Sequence, residues 1–325
     1  MEIDQIYETE TETETETETE TTLEQINKIK NYDLTKTDDL FELISRHIDD
    51  EGFFKQEIAK YLTILQHRFK LEHYELIIIF DEKNSINTFH SDKIYDAISH
   101  LKKEKDILMF LLSDGGTIEP AYLISKTCKR LCKDKFVVTI PRRAKSAATL
   151  ISLGANEIHM GLLSELGPID PQINGLPVLG LTNALEKIAS LAHSYPNSSN
   201  MFSKYLTEKL KMNELGYFER INESAVQYAQ RLLEGKIFAP GETAQSLANH
   251  FTNHYKDHSF VIDSEEALKY LGKEIIKEET AEYEFGNTLF SFLNLLSLML
   301  NIFENKDFRY VGSIYDGIDI KDQKK

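Results

Sequence analysis

The feature that most constrains this fold is an alternation of short strand-like runs with segments of helical spacing in the middle of the chain. The strand-like runs lie at 76–80, 107–112, 136–140 and 157–160, and helical segments at about 91–103 and 119–132 separate the first three. The first run, Leu-Ile-Ile-Ile-Phe, is continuously apolar and rich in β-branched residues, which is typical of a strand buried on both faces. The alternation predicts an α/β fold in which helices cover both faces of a mostly parallel sheet.

Helical periodicity continues on both sides of this region. From Asp38 the apolar residues follow helical spacing and predict two N-terminal helices. After Leu181 the chain reads mainly as helix, with amphipathic segments near 201–233, 242–255 and 281–303. Within the last segment, residues 285–303 combine a wide apolar face with a narrow polar stripe, which favours burial within the protein or between subunits over membrane association.

Charge is concentrated at the N-terminus. The formal net charge is −16, and residues 1–22 hold nine acidic residues and no basic one, which leaves −7 for the remainder. The Glu-Thr alternation at 8–22 predicts an unfolded, solvated extension, because its carboxylates would repel one another on one face of a strand. An interaction tail is the alternative. The acidic balance of the chain argues against nucleic-acid binding.

The cysteines and the first residues bear on the compartment. Cys128 and Cys132 are the only cysteines, which excludes a disulfide-dense secreted scaffold and fits a reducing environment. Residues 1–22 have neither the basic start nor the apolar stretch of a signal peptide. The expected location is therefore the cytoplasm.

The loops after the second and third strand-like runs carry the candidate chemistry, because ligand-binding groups of open parallel sheets gather at the carboxyl ends of the strands. Gly115 and Gly116 follow the second run and could present bare backbone N–H groups to a ligand oxygen. An ordinary strand-to-helix turn is the alternative. A nucleotide-binding loop is disfavoured, because no Gly-x-x-x-x-Gly-Lys spacing exists.

Ser146 follows the third run, where the loop turns into a predicted helix and two alanines leave its hydroxyl accessible. A serine at a helix N-terminus can act as a nucleophile whose oxyanion product is stabilised by free N–H groups; it can equally be an N-cap. Neighbouring strand ends would bring the N–H groups of Gly115 or Gly116 and of Ala147 to the same point. These three residues are the predicted oxyanion hole.

Asp170 and His258 are candidates for the remaining roles. Asp170 lies between prolines in Gly-Pro-Ile-Asp-Pro, so its backbone is held in extended geometry and its carboxylate could orient a histidine; an Asp-Pro turn is the alternative. His250, His254 and His258 recur every four residues, a spacing that could bind a metal on one helix face. No carboxylate completes a His-Glu-x-x-His pattern, so no metal site is expected.

Several segments together resemble the serine dehydrogenase proteinase family, a branch of the Clp-protease and crotonase superfamily. They are Ser-Asp-Gly-Gly at 113–116, Lys-Ser-Ala-Ala-Thr-Leu-Ile at 145–151, Glu-Ile-His-Met-Gly at 157–161 and Leu-Gly-Pro-Ile-Asp-Pro-Gln-Ile at 166–173. The segment from His258 to Gly272 resembles, more weakly, the family's histidine segment. The resemblance covers about residues 76–272.

This resemblance implies a Clp/crotonase-like spiral of parallel strands with flanking helices. Four regions are expected: an unfolded acidic tail at 1–37, N-terminal helices at 38–72, the hydrolase domain at 73–275 and a C-terminal helical segment for oligomerisation at 276–325. The family's chain order makes Ser146 the nucleophile, Asp170 the orienting acid and His258 the general base of a serine protease. Lys187 stays open as an alternative base, because serine–lysine dyads occur elsewhere in the superfamily.

The expected substrate is a peptide or protein, and no cofactor is expected. The absence of a Walker motif from the sequence predicts ATP-independent activity, and analogy predicts a homo-oligomer. Neither a nucleic acid nor a membrane is the expected partner. Two other classes stay open: a catalytically silent assembly or membrane-adaptor protein that uses the helix at 285–303, and a crotonase-type acyl-CoA enzyme with the same oxyanion hole.

Overall fold

The computed structural model describes residues 31–173, 176–209 and 212–323. The Glu-Thr alternation at 8–22, predicted to be unfolded, lies outside the described residues. The chain divides into two compact units, residues up to Glu57 and residues from Ile58 onward.

The helices and strands are numbered here in chain order. The helices are α1 (Thr37–His47), α2 (Glu51–Arg68), α3 (Thr88–Ile98), α4 (Ile118–Leu131), α5 (Ala147–Leu153), α6 (Val178–Ser194), α7 (Ser199–Lys209), α8 (Met212–Leu233), α9 (Ala244–Asn249), α10 (Ser264–Leu271) and α11 (Ala281–Glu304). The strands are β1 (Tyr74–Asp81), β2 (Asp106–Ser113), β3 (Phe136–Thr139), β4 (Arg143–Ala144), β5 (Glu157–His159), β6 (Glu165–Leu166), β7 (Gln172–Ile173), β8 (Leu176–Pro177), β9 (Ile276–Lys277), β10 (Lys306–Ser313) and β11 (Ile318–Asp322). A 3₁₀ turn at Pro196–Ser198 and a π-helical turn at His250–His254 complete the described elements.

The first unit contains α1, whose sequence carries both of the usual helix signals. Acidic residues occupy its first turn and basic residues its last turn, which complements the helix dipole. Its buried residues, Leu40, Leu43 and Ile44, follow the spacing of one helix face. The predicted N-terminal helical pattern is confirmed for α1 and for α2.

The central sheet has the order β11-β10-β1-β2-β3-β5-β9. The five strands from β1 to β9 run parallel, and they include all four strands predicted from the sequence. The predicted α/β fold with a mostly parallel, helix-covered sheet is thus confirmed. The residues of β2 from Ile107 to Ser113 are all buried, as the continuous apolar run requires of a strand in the middle of a covered sheet.

The end of the chain differs from the predicted helical segment at 276–325. Helix α11 is present, but β10 pairs antiparallel with β1, and β11 pairs antiparallel with β10. This hairpin extends the sheet of the central domain. In β10 the buried Phe308 and Tyr310 alternate with the charged Asp307 and Arg309, a period-two pattern too short to reveal a partner strand more than 200 residues away.

The predicted helical segments at 201–233 and 242–255 are both present, and the second is shorter than predicted. The first corresponds to α7 and α8, and the residues between them, 210 and 211, lie outside the described residues. The second is α9, which continues into the π-helical turn and ends before Tyr255. His258 therefore does not share a helix face with His250 and His254.

Register brings the carboxyl ends of the strands together. In the parallel pair of β1 and β2, Asp81 lies opposite Ser113, and Ser113 in turn lies opposite Ala144 of β4. Strand β4 also pairs in parallel with β6, where Ala144 lies opposite Leu166. The loops that follow β1, β2, β4 and β6 are consequently neighbours at one edge of the sheet.

Helix α11 is long and apolar enough to cross a membrane by length and composition, yet 44% of its most apolar window is buried within the protein. Its Gly286 lies against β3, where a Cβ atom would come within 2.5 Å of Thr139 Oγ1 and 3.0 Å of Thr139 Cγ2. Leu298 and Ile302, nearer its carboxyl end, are exposed. One face of the helix is therefore buried as far as Leu300, and apolar side chains near the carboxyl end of its other face are exposed.

The close packing of α11 on β3 is testable. Gly286→Ala should lower the free energy of unfolding by about 1–3 kcal/mol, because the added methyl group overpacks a β-branched neighbour in the core. Gly216→Ala in α8 is the matched control: a Cβ there meets nothing within 4 Å, so alanine should be neutral or stabilising by up to about 1 kcal/mol. Urea unfolding measures both, and equal stabilities would contradict the packing described here.

Candidate active site

Ser146 occupies the residue before α5 in an unusual backbone conformation. Its φ is +50° and its ψ is −118°, a combination that non-glycine residues rarely adopt. Its side chain does not cap the helix, so the ordinary N-cap interpretation of this serine is wrong. Strained residues of this kind persist where the surrounding structure over-determines them, and they cluster at functional sites.

The glycine turn after β2 lies directly against Ser146. A Cβ atom on Gly115 would approach Ser146 Cβ to 2.7 Å and the Ala147 nitrogen to 3.1 Å, and Gly115 has a φ of +106°. No other residue type fits there without displacing Ser146. The contact is the one expected from the sequence, in which the two loops meet at neighbouring strand ends.

The backbone N–H groups of the two loops differ in their partners. The Gly115 N–H donates to Ser113 Oγ at 3.2 Å. Within the described part of the chain, the N–H groups of Gly116 and Ala147 donate to no protein acceptor. Of the three predicted oxyanion donors, Gly116 and Ala147 are therefore available, and Gly115 chiefly allows the close approach of the turn to Ser146.

Asp170 and His258 form a hydrogen-bonded pair. Asp170 Oδ1 lies 2.7 Å from His258 Nδ1, with the carboxylate side chain 4% exposed and the imidazole 27% exposed. A carboxylate only accepts hydrogen bonds, so Nδ1 carries the proton and Nε2 of a neutral ring keeps its lone pair. The Asp170 side chain has a specific partner 88 residues away. Asp170 therefore does more than start an Asp-Pro turn.

Two backbone contacts hold this pair in place. The Ile169 N–H donates to Phe251 O of the π-helical turn at 2.9 Å, next to Asp170. Leu166 precedes Asp170 and Ile262 follows His258, and these two residues exchange backbone hydrogen bonds. The widened π turn thus supplies an acceptor carbonyl to the segment that bears the acid.

A single open cavity of about 670 Å³ collects these groups. Ser146, Gly115, Gly116, Asp170 and His258 all line it. It has the size and the mixture of polar groups that are typical of small-ligand and peptide sites. The predicted nucleophile, acid, base and glycine turn are thus brought together at one edge of the sheet.

The alternative base and the histidines considered as a metal site do not join the candidate site. Lys187, the alternative base, is exposed on α6 and is not part of the cavity lining. His250 and His254 stack on each other with ring centroids 4.4 Å apart, while His258 turns to Asp170. Among the described residues no group of three or more histidine, cysteine, aspartate or glutamate side chains is arranged to hold a metal ion.

Several cavity residues were not singled out by the sequence analysis. Tyr217, Ile221 and Ser224 of α8 form one wall, and Glu82 and Asp114 lie on another. Arg143 pairs with both of these carboxylates and so links the loops after β1 and β2. The helical spacing of α8 could not predict that it faces the site, because the sequence pattern of an amphipathic helix does not depend on which surface the helix covers.

The strain at Ser146 makes a prediction about stability. Ser146→Gly should be more stable than Ser146→Ala by about 1 kcal/mol, because glycine relieves the positive φ, an effect only partly offset by its greater unfolded-state entropy. Urea unfolding of the two variants measures the difference directly. An alanine variant as stable as the glycine variant would show that residue 146 is unstrained.

Two curated proteins are similar to part of this chain. Two uncharacterized proteins of Methanocaldococcus jannaschii are 34% identical over 97 residues and 33% identical over 94 residues, which is 30% and 29% of this chain. The chain spans about a third of the length of these relatives, 34% and 32%.

Solved structures give a more distant likeness. A serine-to-alanine variant of a membrane-bound stomatin-specific protease aligns with a TM-score of 0.40 at 16% identity, over 63% of this chain and 80% of that one. A lysine-to-alanine variant of the protease with a substrate peptide gives the same TM-score and identity over 77% and 88%. Likeness at this level is too low to transfer any residue role to this chain.

The family comparison is more specific. The matched segment, residues 54–194, contains the glycine turn, Ser146 and Asp170, and it ends before His258. It covers less than half of the chain but all the motifs through residue 173 on which the resemblance rests. Residues 54–194 match the ClpP-like SDH-type serine proteinases, the family that the motifs of the sequence predict.

Proposed function

We propose that this protein is a serine peptidase that acts through an acyl-enzyme on Ser146. One observation carries the proposal: Ser146, the Asp170–His258 pair and the glycine turn line the same cavity. Each group alone has an ordinary structural explanation. Their convergence from four separate loops at one edge of the sheet supports a catalytic constellation.

In the acylation step, His258 Nε2 takes the proton of the Ser146 hydroxyl as Ser146 Oγ bonds to the carbonyl carbon of a peptide. The carbonyl oxygen becomes an oxyanion, which accepts hydrogen bonds from the N–H groups of Gly116 and Ala147. Protonated His258 then gives its proton to the departing amine nitrogen as the peptide C–N bond breaks. The products are a free amine and an ester of Ser146.

Deacylation repeats these roles with water. His258 Nε2 takes a proton from water while the water oxygen attacks the ester carbon. When the tetrahedral intermediate collapses, His258 returns the proton to Ser146 Oγ, and a carboxylic acid leaves. Asp170 keeps the proton of His258 on Nδ1 and stabilises the imidazolium that forms in each step.

A second candidate is the catalytically silent assembly or membrane-adaptor protein. The exposure of Leu298 and Ile302 on α11 favours it, because large apolar side chains on one exposed helix face suit a partner or a lipid surface. It leaves the strain at Ser146 and the unused N–H groups of Gly116 and Ala147 without a role. The peptidase accounts for both, and it is the preferred proposal.

Labelling with a fluorophosphonate probe tests the nucleophile. The wild-type protein should be labelled at one serine, and Ser146→Ala should abolish the label. Ser224→Ala is a matched control, since Ser224 lines the same cavity but its hydroxyl donates to Arg220 O at 2.8 Å within its own helix. An unlabelled, folded wild-type protein would favour the assembly protein, and a label that survives Ser146→Ala would place the nucleophile elsewhere.

The identity of the base is tested by rate. His258→Ala should lower the labelling rate by roughly 10³-fold or more, and Asp170→Asn should come close to this, because the imidazole then loses its correct tautomer. Lys187→Ala should leave the rate within about twofold, since Lys187 is exposed outside the cavity. The opposite ranking of His258→Ala and Lys187→Ala would establish a serine–lysine dyad.

A further inference from the structure

The loop between β1 and α3 clamps the glycine turn. Ile86 N–H donates to Gly115 O at 2.8 Å, and Ile86 O accepts from Thr117 N–H at 2.8 Å. Gly116 lies between these two bonds, and a Cβ atom there would come within 2.3 Å of Ile86 N. The direction of the Gly116 N–H is therefore set by where Ile86 lies.

Asp81, the last residue of β1, is buried beneath this loop and binds it through its carboxylate. Its Oδ1 accepts hydrogen bonds from the backbone N–H groups of Lys83 and Asn84 at 3.3 and 2.9 Å. The side-chain amide of Asn84 donates to both carboxylate oxygens, at 3.0 and 3.2 Å. A single buried carboxylate thereby fixes the first half of the segment that ends at Ile86.

His90 holds the second half. It is fully buried at the start of α3, where the Asn87 N–H donates to its Nδ1 at 3.3 Å and its Nε2 lies 3.3 Å from Asp81 Oδ2. A ring with its proton on Nε2 accepts from Asn87 N–H at Nδ1 and donates to Asp81 Oδ2. Arg309 of β10 adds a cation 3.6 Å from the same carboxylate oxygen.

The charge state of Asp81 agrees with this geometry. Burial alone would raise the pKa of its carboxyl group, but hydrogen bonds from His90 and Asn84 hold that pKa below its ordinary value. Asp81 is therefore a carboxylate at neutral pH and can accept every bond that surrounds it. Neither Asp81 nor His90 lines the cavity, so neither can touch a substrate there.

We infer that Asp81 and His90 are positioning residues for the oxyanion hole: they fix the loop at Ile86, which in turn fixes the N–H of Gly116. The inference rests on the proposed peptidase function. An isosteric Asp81→Asn substitution turns one acceptor oxygen into a donor, which then faces either His90 or the loop N–H groups. The clamp on Gly116 would loosen, whereas Ser146, Asp170 and His258 would keep their places.

Two measurements on the whole chain test this inference. The first is hydrogen exchange of the Thr117 amide, which should be at least about tenfold faster in Asp81→Asn because its bond to Ile86 opens more often. The second is saturation kinetics of fluorophosphonate labelling. The maximal rate should fall roughly 10- to 100-fold with the half-saturating concentration within about twofold, because a misplaced donor weakens only the transition state.

Gln66→Leu provides the matched control. The buried amide of Gln66 donates to Tyr74 O, at the opposite end of β1 from Asp81, and to Leu71 O just before that strand. This variant loses comparable buried hydrogen bonds and should change neither the Thr117 exchange nor the labelling rate. His90→Phe is the second test variant, and it should reproduce the effects of Asp81→Asn even if that variant folds poorly.

The outcomes separate the inference from the proposed function. Unchanged Thr117 exchange in the folded Asp81→Asn and His90→Phe variants would overturn the clamp, and faster exchange with an unaltered labelling rate would overturn the positioning role. An equal loss of labelling in Gln66→Leu would show that general destabilisation causes the effect, and it would also overturn the positioning role. A wild-type protein that is never labelled would refute the peptidase instead, while the exchange data would still decide whether Asp81 holds the turn.

Discussion

The parallel pairing of β1 with β2 is the interaction on which the rest of the structure depends. It runs from Tyr74 opposite Asp106 to Asp81 opposite Ser113 without interruption. A one-residue slip would turn every side chain of the strand to the opposite face, where it would meet different packed neighbours. This register places the ends of the strands level, and the glycine turn, Ser146 and Asp170 each follow one of those ends. His258 joins them through its hydrogen bond to Asp170.

The site uses the backbone more than the side chains. The loop at Ile86, the glycine turn and the residue after Ser146 meet through main-chain contacts, and the close approach leaves no space for a Cβ at Gly115 or Gly116. Preorganised N–H groups of this kind stabilise developing charge without reorganising during the reaction. The buried polar residues behind the loop hold that arrangement in place.

Stability and function oppose each other at Ser146. A serine with positive φ that makes no cap bond weakens the start of α5. The buried parts of the sheet and of α5 offset this cost, since every residue of the helix is buried. The fold therefore supports a locally unfavourable residue at a position that lines the cavity.

The sequence by itself determined the alternating α/β pattern, the four central strands and the motifs around Ser146 and Asp170, because periodicity and glycine chemistry are local properties of a chain. Local patterns could not reveal that β10 joins β1, that His258 leaves the helix of His250 to meet Asp170, or that Lys187 lies outside the cavity. Those relations depend on contacts between residues far apart in sequence. Only the tertiary structure decided which of the glycine N–H groups stays free, since that depends on where Ser113 Oγ and Ile86 lie once the strands have paired.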